Sequence, residues 1–102
     1  MTLPNGYEMT TTFMMDFSIA DKFGITAIKD TYKRAFEEWK GNYKMLTELV
    51  LVLNWRIWYW YEREGEESVL GILYNDLWDK TARYAEENLK GEEYEYYFKV
   101  TD

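Results

Sequence analysis

Neither cysteine nor histidine occurs among the 102 residues of this chain, and proline occurs once, at Pro4. Without histidine the chain lacks the side chain most used for acid–base work near neutral pH, and also the commonest metal ligand. Without cysteine there is no thiolate chemistry and no disulfide framework, and zinc, iron–sulfur and haem sites of the ordinary kinds are excluded. Small secreted domains usually need disulfides, so the composition fits a reducing, cytoplasmic setting. Residues 1–12 lack the basic and apolar regions of a signal peptide. The longest apolar stretch, 49–61, is broken by Asn54 and Arg56 and falls short of the about 20 residues of a membrane span, so no membrane attachment is expected. A phosphate-cradling lysine loop, a dinucleotide-binding glycine pattern and a nucleophile elbow are all missing as well. No cofactor is expected.

Positive charge is also scarce: 12 Lys and Arg stand against 19 Asp and Glu, a net charge of −7. Binding that neutralises nucleic-acid phosphates draws its affinity from clustered cations, so direct nucleic-acid binding is not expected. Basic proteins remain as partners. What the chain has in abundance is aromatic surface, with five Trp, ten Tyr and five Phe in a composition that is 47% hydrophobic. Such a chain folds, because each ring buries a large area against the entropy of ordering the backbone. Its length fits one core. The sequence therefore reads as a flexible leader over 1–9 and a single helical domain over 10–102.

Glycines punctuate the rest. Lys40-Gly41, Glu64-Gly65 and Lys90-Gly91 look like helix ends with left-handed caps and suggest three principal helices. In the first, over 26–40, Ile25, Ile28, Tyr32, Ala35, Phe36 and Trp39 form one stripe opposite Lys29, Asp30, Lys33, Arg34, Glu37 and Glu38. A short turn over 18–23, capped by Ser18, is expected before it. The second, within 42–64, is apolar nearly all round, and its length favours helix over strand. The third, within 66–90, places Val69, Leu70, Leu73, Leu77, Trp78, Ala82, Ala85 and Leu89 on one face, with Gly71 as its weak point. At the two ends, Thr11, Phe13, Met15 and Phe17, and again Tyr94, Tyr96, Phe98 and Val100, alternate with the strand period. Two readings stand there: a short ribbon pairing the termini, or a C-terminal helical extension. The fold class is mainly α, a compact three- to four-helix bundle with or without that ribbon.

Only carboxylates, hydroxyls, Lys and Tyr are left for chemistry. Asp76 and Asp79 share a helix face, but Asp76 precedes Lys80, and Asp79 precedes Arg83, by four residues, the pattern of a solvated, ion-paired surface. No catalytic or metal-ligating residue is expected, and the chain reads as a non-enzyme. Asn54 and Arg56 carry more information, because a polar group in an apolar stretch must find a partner. Either they are satisfied within the core, or Trp55, Arg56, Tyr59 and Trp60 anchor an interface, since Trp, Tyr and Arg dominate binding hot spots. The C-terminal stretch offers a second candidate surface in Glu92, Glu93, Tyr94, Glu95 and Tyr97, where acids could stand for phosphates and rings for bases. The plainer reading is a solubilising tail.

The stretches Asp16–Ile25, Thr31–Lys40 and Leu46–Trp58 resemble small acidic proteins carried by plasmids, conjugative elements and phages of Gram-positive bacteria, and the likeness runs from Thr10 to Asp102. Small acidic proteins of such mobile genetic elements include anti-CRISPR inhibitors. The resemblance implies an inhibitor or adaptor that binds a basic, nucleic-acid-handling protein, a Cas nuclease being one case. The competing expectation is a structural or assembly protein that homodimerises through the aromatic helix face.

Overall fold

The computed structural model describes residues 6–102, which form five α-helices: α1 (Phe13–Asp21), α2 (Ile25–Trp39), α3 (Tyr43–Glu64), α4 (Val69–Asn88) and α5 (Glu92–Thr101). The long apolar run becomes the central helix. Asn42 starts it by accepting from the backbone N–H of Lys44 at 3.1 Å and Met45 at 3.2 Å, which satisfies donors that the first turn leaves free. α4 begins the same way, with Ser68 accepting from the N–H of Gly71 at 3.1 Å. Residues 65–68 turn the chain between them, and Gly65 takes φ +83°, a left-handed conformation open to glycine at little cost.

α4 then runs back along α3 in the most extensive helix pairing of the molecule. Tyr61 meets Gly71 near the loop, where an added Cβ would lie 2.6 Å from the ring. Gly71 is thus the point at which the two helices can approach, rather than a flaw in α4. Away from the loop, Leu46 and Val50 share a cluster with Ala85, Leu89 and Tyr97 of α5. The main core joins Leu49, Val52, Leu53 and Ile57 of α3 to Phe13, Phe17 and Ala20 of α1, Ile28, Tyr32 and Ala35 of α2, and Tyr74 and Leu77 of α4. Phe36, Trp39 and Trp78, expected in the core, are partly buried against it. Ile25, expected on the same stripe, is exposed.

The mainly helical class holds, but there are five helices, and the terminal ribbon is absent: no strand occurs among the described residues. Phe13 and Phe17 lie one turn apart in α1, and Tyr94, Tyr96, Phe98 and Val100 all lie in α5. The alternation misled because a helical spacing runs beside it. Phe13, Phe17 and Ala20 form the buried side of α1, and Tyr97 alone is buried on α5. Glu92, Glu93 and Glu95 occupy the first turn of α5 and Lys99 the last, as the helix dipole favours. A helix also satisfies its backbone internally, whereas a two-stranded ribbon leaves both edges open.

One smaller expectation changes. Ser18 caps nothing; it lies within α1 and donates to the carbonyl of Met14 at 2.8 Å. Of the flexible leader, residues 1–5 lie outside the described residues, while Met9 is buried and Tyr7 donates to Glu48 at 3.3 Å.

Candidate interaction surface

Arg56 is buried, and its guanidinium pairs with Asp21 at the end of α1. The same carboxylate accepts from the indole N–H of Trp60 at 3.0 Å and from the hydroxyl of Tyr74, and Ser18 accepts from Arg56 Nη1 at 3.4 Å. The guanidinium also lies 4.2 Å from the centre of the Tyr59 ring and 5.9 Å from that of Tyr74. Arg56 Nε is buried without a hydrogen-bond partner among the described residues. Burial first, and the hydrogen bond to Asp21 second, push the Tyr74 phenol well above its ordinary pKa. Arg56 is therefore spent inside the fold, a correction to its expected place on an interface, while Trp60 is partly buried and commits its indole N–H to the same carboxylate. A carboxylate 35 positions away in sequence makes this burial tolerable.

The large hydrophobic side chains that α3 exposes are Trp55, Tyr59 and Trp58, the last 57% exposed and not singled out from the sequence. The edge of Trp58 or of Tyr61 points at the other ring, with centroids 6.2 Å apart. Asn54, half-buried, lines a cleft of about 290 Å³ with Trp78 and Glu86 of α4 and Tyr94 and Phe98 of α5.

α5 separates its residues cleanly. Tyr97 is the buried one, its phenol pushed up to about 12 by burial first and by the charge of Glu86 second. Its place as a contact residue is corrected accordingly. Glu92, Glu93, Tyr94 and Glu95 are exposed, and Phe98, 55% exposed, stacks on Tyr94 with centroids 6.3 Å apart. Tyr96 turns the other way, bonding the Tyr7 hydroxyl at 3.0 Å and meeting Tyr43 edge to face at 5.3 Å.

Glu48 escaped the sequence reading altogether. It is fully buried on α3 and accepts from the backbone N–H of Thr10 and Thr11 at 3.0 Å each, from the Thr11 hydroxyl at 3.0 Å, and from the hydroxyls of Thr10 and Tyr7. Its only signal was a carboxylate that directly precedes the apolar run 49–61 and falls one helical turn before Val52. Its work is structural, holding residues 7–11 on α3. Among the described residues no cluster of Asp and Glu is placed to hold a metal ion. Asp79 pairs with Arg83 at 3.1 Å on an exposed face, as its spacing implied.

Two grooves complete the surface. Lys29 and Lys33 of α2 and Lys80 and Arg83 of α4 rim a groove of about 670 Å³ floored by Tyr32, Phe36 and Tyr84. A larger one, about 860 Å³, runs between α1 and α2. No helix among the described residues is long and apolar enough to cross a membrane. No family model matches the chain, and neither does any curated protein or solved structure.

Proposed function

We propose that this protein is a non-enzymatic inhibitor or adaptor that binds a basic, nucleic-acid-handling protein through the outer face of α5. The observation that carries the reading is the division of labour on that helix. Tyr97 anchors it to the core, while Glu93 and Glu95 flank the exposed Tyr94, which stacks on Phe98, and Glu92 adds charge to the same first turn. Exposed rings on a rigid helix supply anchor area at little entropic cost, and acids around them steer and match a cationic surface. Such a face presents rings and negative charge together, as a nucleic-acid strand does. A CRISPR effector nuclease, a basic protein built to hold such a strand, is the first partner to test.

Purified chain is titrated against a panel of such effectors, reading DNA cleavage and, for any that is inhibited, affinity by calorimetry. The expected result is inhibition whose affinity falls from about 0.1 M to about 0.5 M salt, because exposed charges are screened within about 10 Å at the lower value. Combined Glu92→Lys, Glu93→Lys and Glu95→Lys substitutions are expected to abolish it; undiminished affinity in that variant rejects the α5 reading. The second reading, an assembly protein joined through the aromatic face of α3, is favoured by the exposure of Trp55, Trp58 and Tyr59.

A further inference from the structure

On a chain of net charge −7, a third of its 12 cations, Lys29, Lys33, Lys80 and Arg83, line the one groove between α2 and α4. Lys29 and Lys33 stand four apart on α2, and Lys80 and Arg83 three apart on α4, spacings at which like charges repel across a helical turn. Asp79 answers Arg83, but Lys29, Lys33 and Lys80 enter no ion pair among the described residues. The floor between them is aromatic. Phe36 stacks on Tyr32 with ring centroids 5.7 Å apart and meets Tyr84 edge to face at 5.0 Å. A volume of about 670 Å³ and an apolar floor with a few charged groups at the rim are what a small-ligand site has.

Two cross-contacts give the groove a direction. The hydroxyls of Tyr32 and Thr81 bond at 2.8 Å and Phe36 meets Tyr84, so α2 and α4 run the same way along it. Lys29, Lys33 and Lys80 therefore gather in its first half, Phe36 and Tyr84 follow, and Glu87 stands one turn past Tyr84. Glu37, beside Phe36, is held by Lys40 at 3.3 Å, whereas Glu87 enters no ion pair among the described residues. Lys80 and Glu87 lie about 10 Å apart along the axis of α4. We infer that this groove binds a free mononucleotide whose base carries an exocyclic amino group. Its phosphate lies among the three lysines, its base against Phe36 and Tyr84, and its amino group donates to Glu87. The phosphate answers three unpaired cations at once, and the base offers a flat face to the aromatic floor. An inorganic anion would leave the rings unused, and an uncharged ring would leave the lysines unanswered, so the groove suits the two parts joined. A single nucleotide does not need the extended basic surface on which binding of a nucleic-acid strand depends. The inference does not rest on the α5 reading, since no residue of α5 lines the groove.

Adenosine 5′-monophosphate titrated into the full chain tests this, followed by calorimetry and by the NMR signals of the Phe36 and Tyr84 rings. A dissociation constant on the order of 0.1–1 mM is expected at low salt, since the groove is open and the lysines are exposed. Inorganic phosphate alone and adenosine alone are each expected to bind at least about tenfold more weakly. Inosine 5′-monophosphate, in which a carbonyl replaces the amino group, is expected to bind about threefold more weakly. Lys29→Glu combined with Lys80→Glu is expected to weaken the nucleotide at least about tenfold. Lys22→Glu combined with Lys99→Glu makes the same change of net charge away from the groove and is expected to leave binding within about twofold. All four lysines are exposed, and unchanged helical circular dichroism of each variant shows that the fold is kept. No binding up to about 10 mM nucleotide overturns the proposal. So does phosphate that binds as tightly as the nucleotide, which marks an adventitious ion only. Inosine monophosphate binding as tightly as its adenosine counterpart, or equal losses in the two lysine pairs, overturns it as well.

Discussion

Two carboxylates are drawn into the interior, and they are satisfied by opposite means. Asp21 meets a full positive charge, Arg56, together with the Trp60 N–H and the Tyr74 hydroxyl. Glu48 is fully buried and meets neutral donors from Tyr7, Thr10 and Thr11. Together they hold α1 at both ends, since Glu48 fixes the segment that leads into the helix and Asp21 fixes its last turn to α3 and α4. A nine-residue helix is too short to persist alone. Its apolar side supplies the packing, and the two carboxylates fix where it sits. The contrast teaches how each arrangement fails. An ion pair concentrates its worth in one partner, so removing that partner strands a buried charge, whereas a set of neutral donors spreads the loss.

The largest expected effect breaks the Asp21 side. Arg56→Ala is expected to cost about 3–5 kcal/mol, read from urea unfolding, because Asp21 keeps its burial and loses its countercharge. Glu48→Gln is expected to cost less, about 1–3 kcal/mol by the same measurement, since the amide keeps one oxygen and turns N–H groups toward donors. The reverse order would show that the neutral set is the stronger of the two. The smallest effect compares the phenols bonded to each carboxylate. Burial is the first cause that raises both Tyr74 and Tyr7 above the ordinary value of 10.0. The folded protein therefore holds these protons longer than the unfolded chain, so this contribution is fully present below pH 10.0 and lost as pH rises through the raised values. Each fully buried tyrosine steepens the alkaline decline by about 1.4 kcal/mol per pH unit. Tyr74→Phe is expected to flatten the decline in thermal midpoint above pH 10.0 more than Tyr7→Phe, because Tyr74 is fully buried and Tyr7 only partly.

α2, α3 and α4 were legible because their apolar residues repeat over several turns, and only a helix turns such residues to one side. Their ends were less so. Gly91, read as closing a helix, instead precedes α5, with α4 already over at Asn88. α1 and α5 are short, and over nine or ten residues an aromatic alternation and a helical spacing fit the same letters. Tertiary burial of Phe17 and Tyr97 decided between them. At the candidate surfaces, composition alone named Trp55, Tyr59, Glu92, Glu93, Tyr94 and Glu95, which are exposed. It misplaced Arg56 and Tyr97, because residue type sets what a side chain can bond to and not which partner the fold delivers. Asp21 and Glu48 find their donors more than thirty positions away, a distance at which sequence spacing carries no information.

That distance along the chain also has a meaning in time. The short link 65–68 lets α3 and α4 meet after closing a small loop, at little entropic cost, before either terminal segment arrives. Thr10 must cross 38 positions to reach Glu48, and Arg56 must cross 35 to reach Asp21. The helical hairpin is then expected to form first, and the two carboxylates to engage later. Removing either is expected to speed unfolding more than it slows folding, which the two arms of a denaturant-dependent rate plot would show.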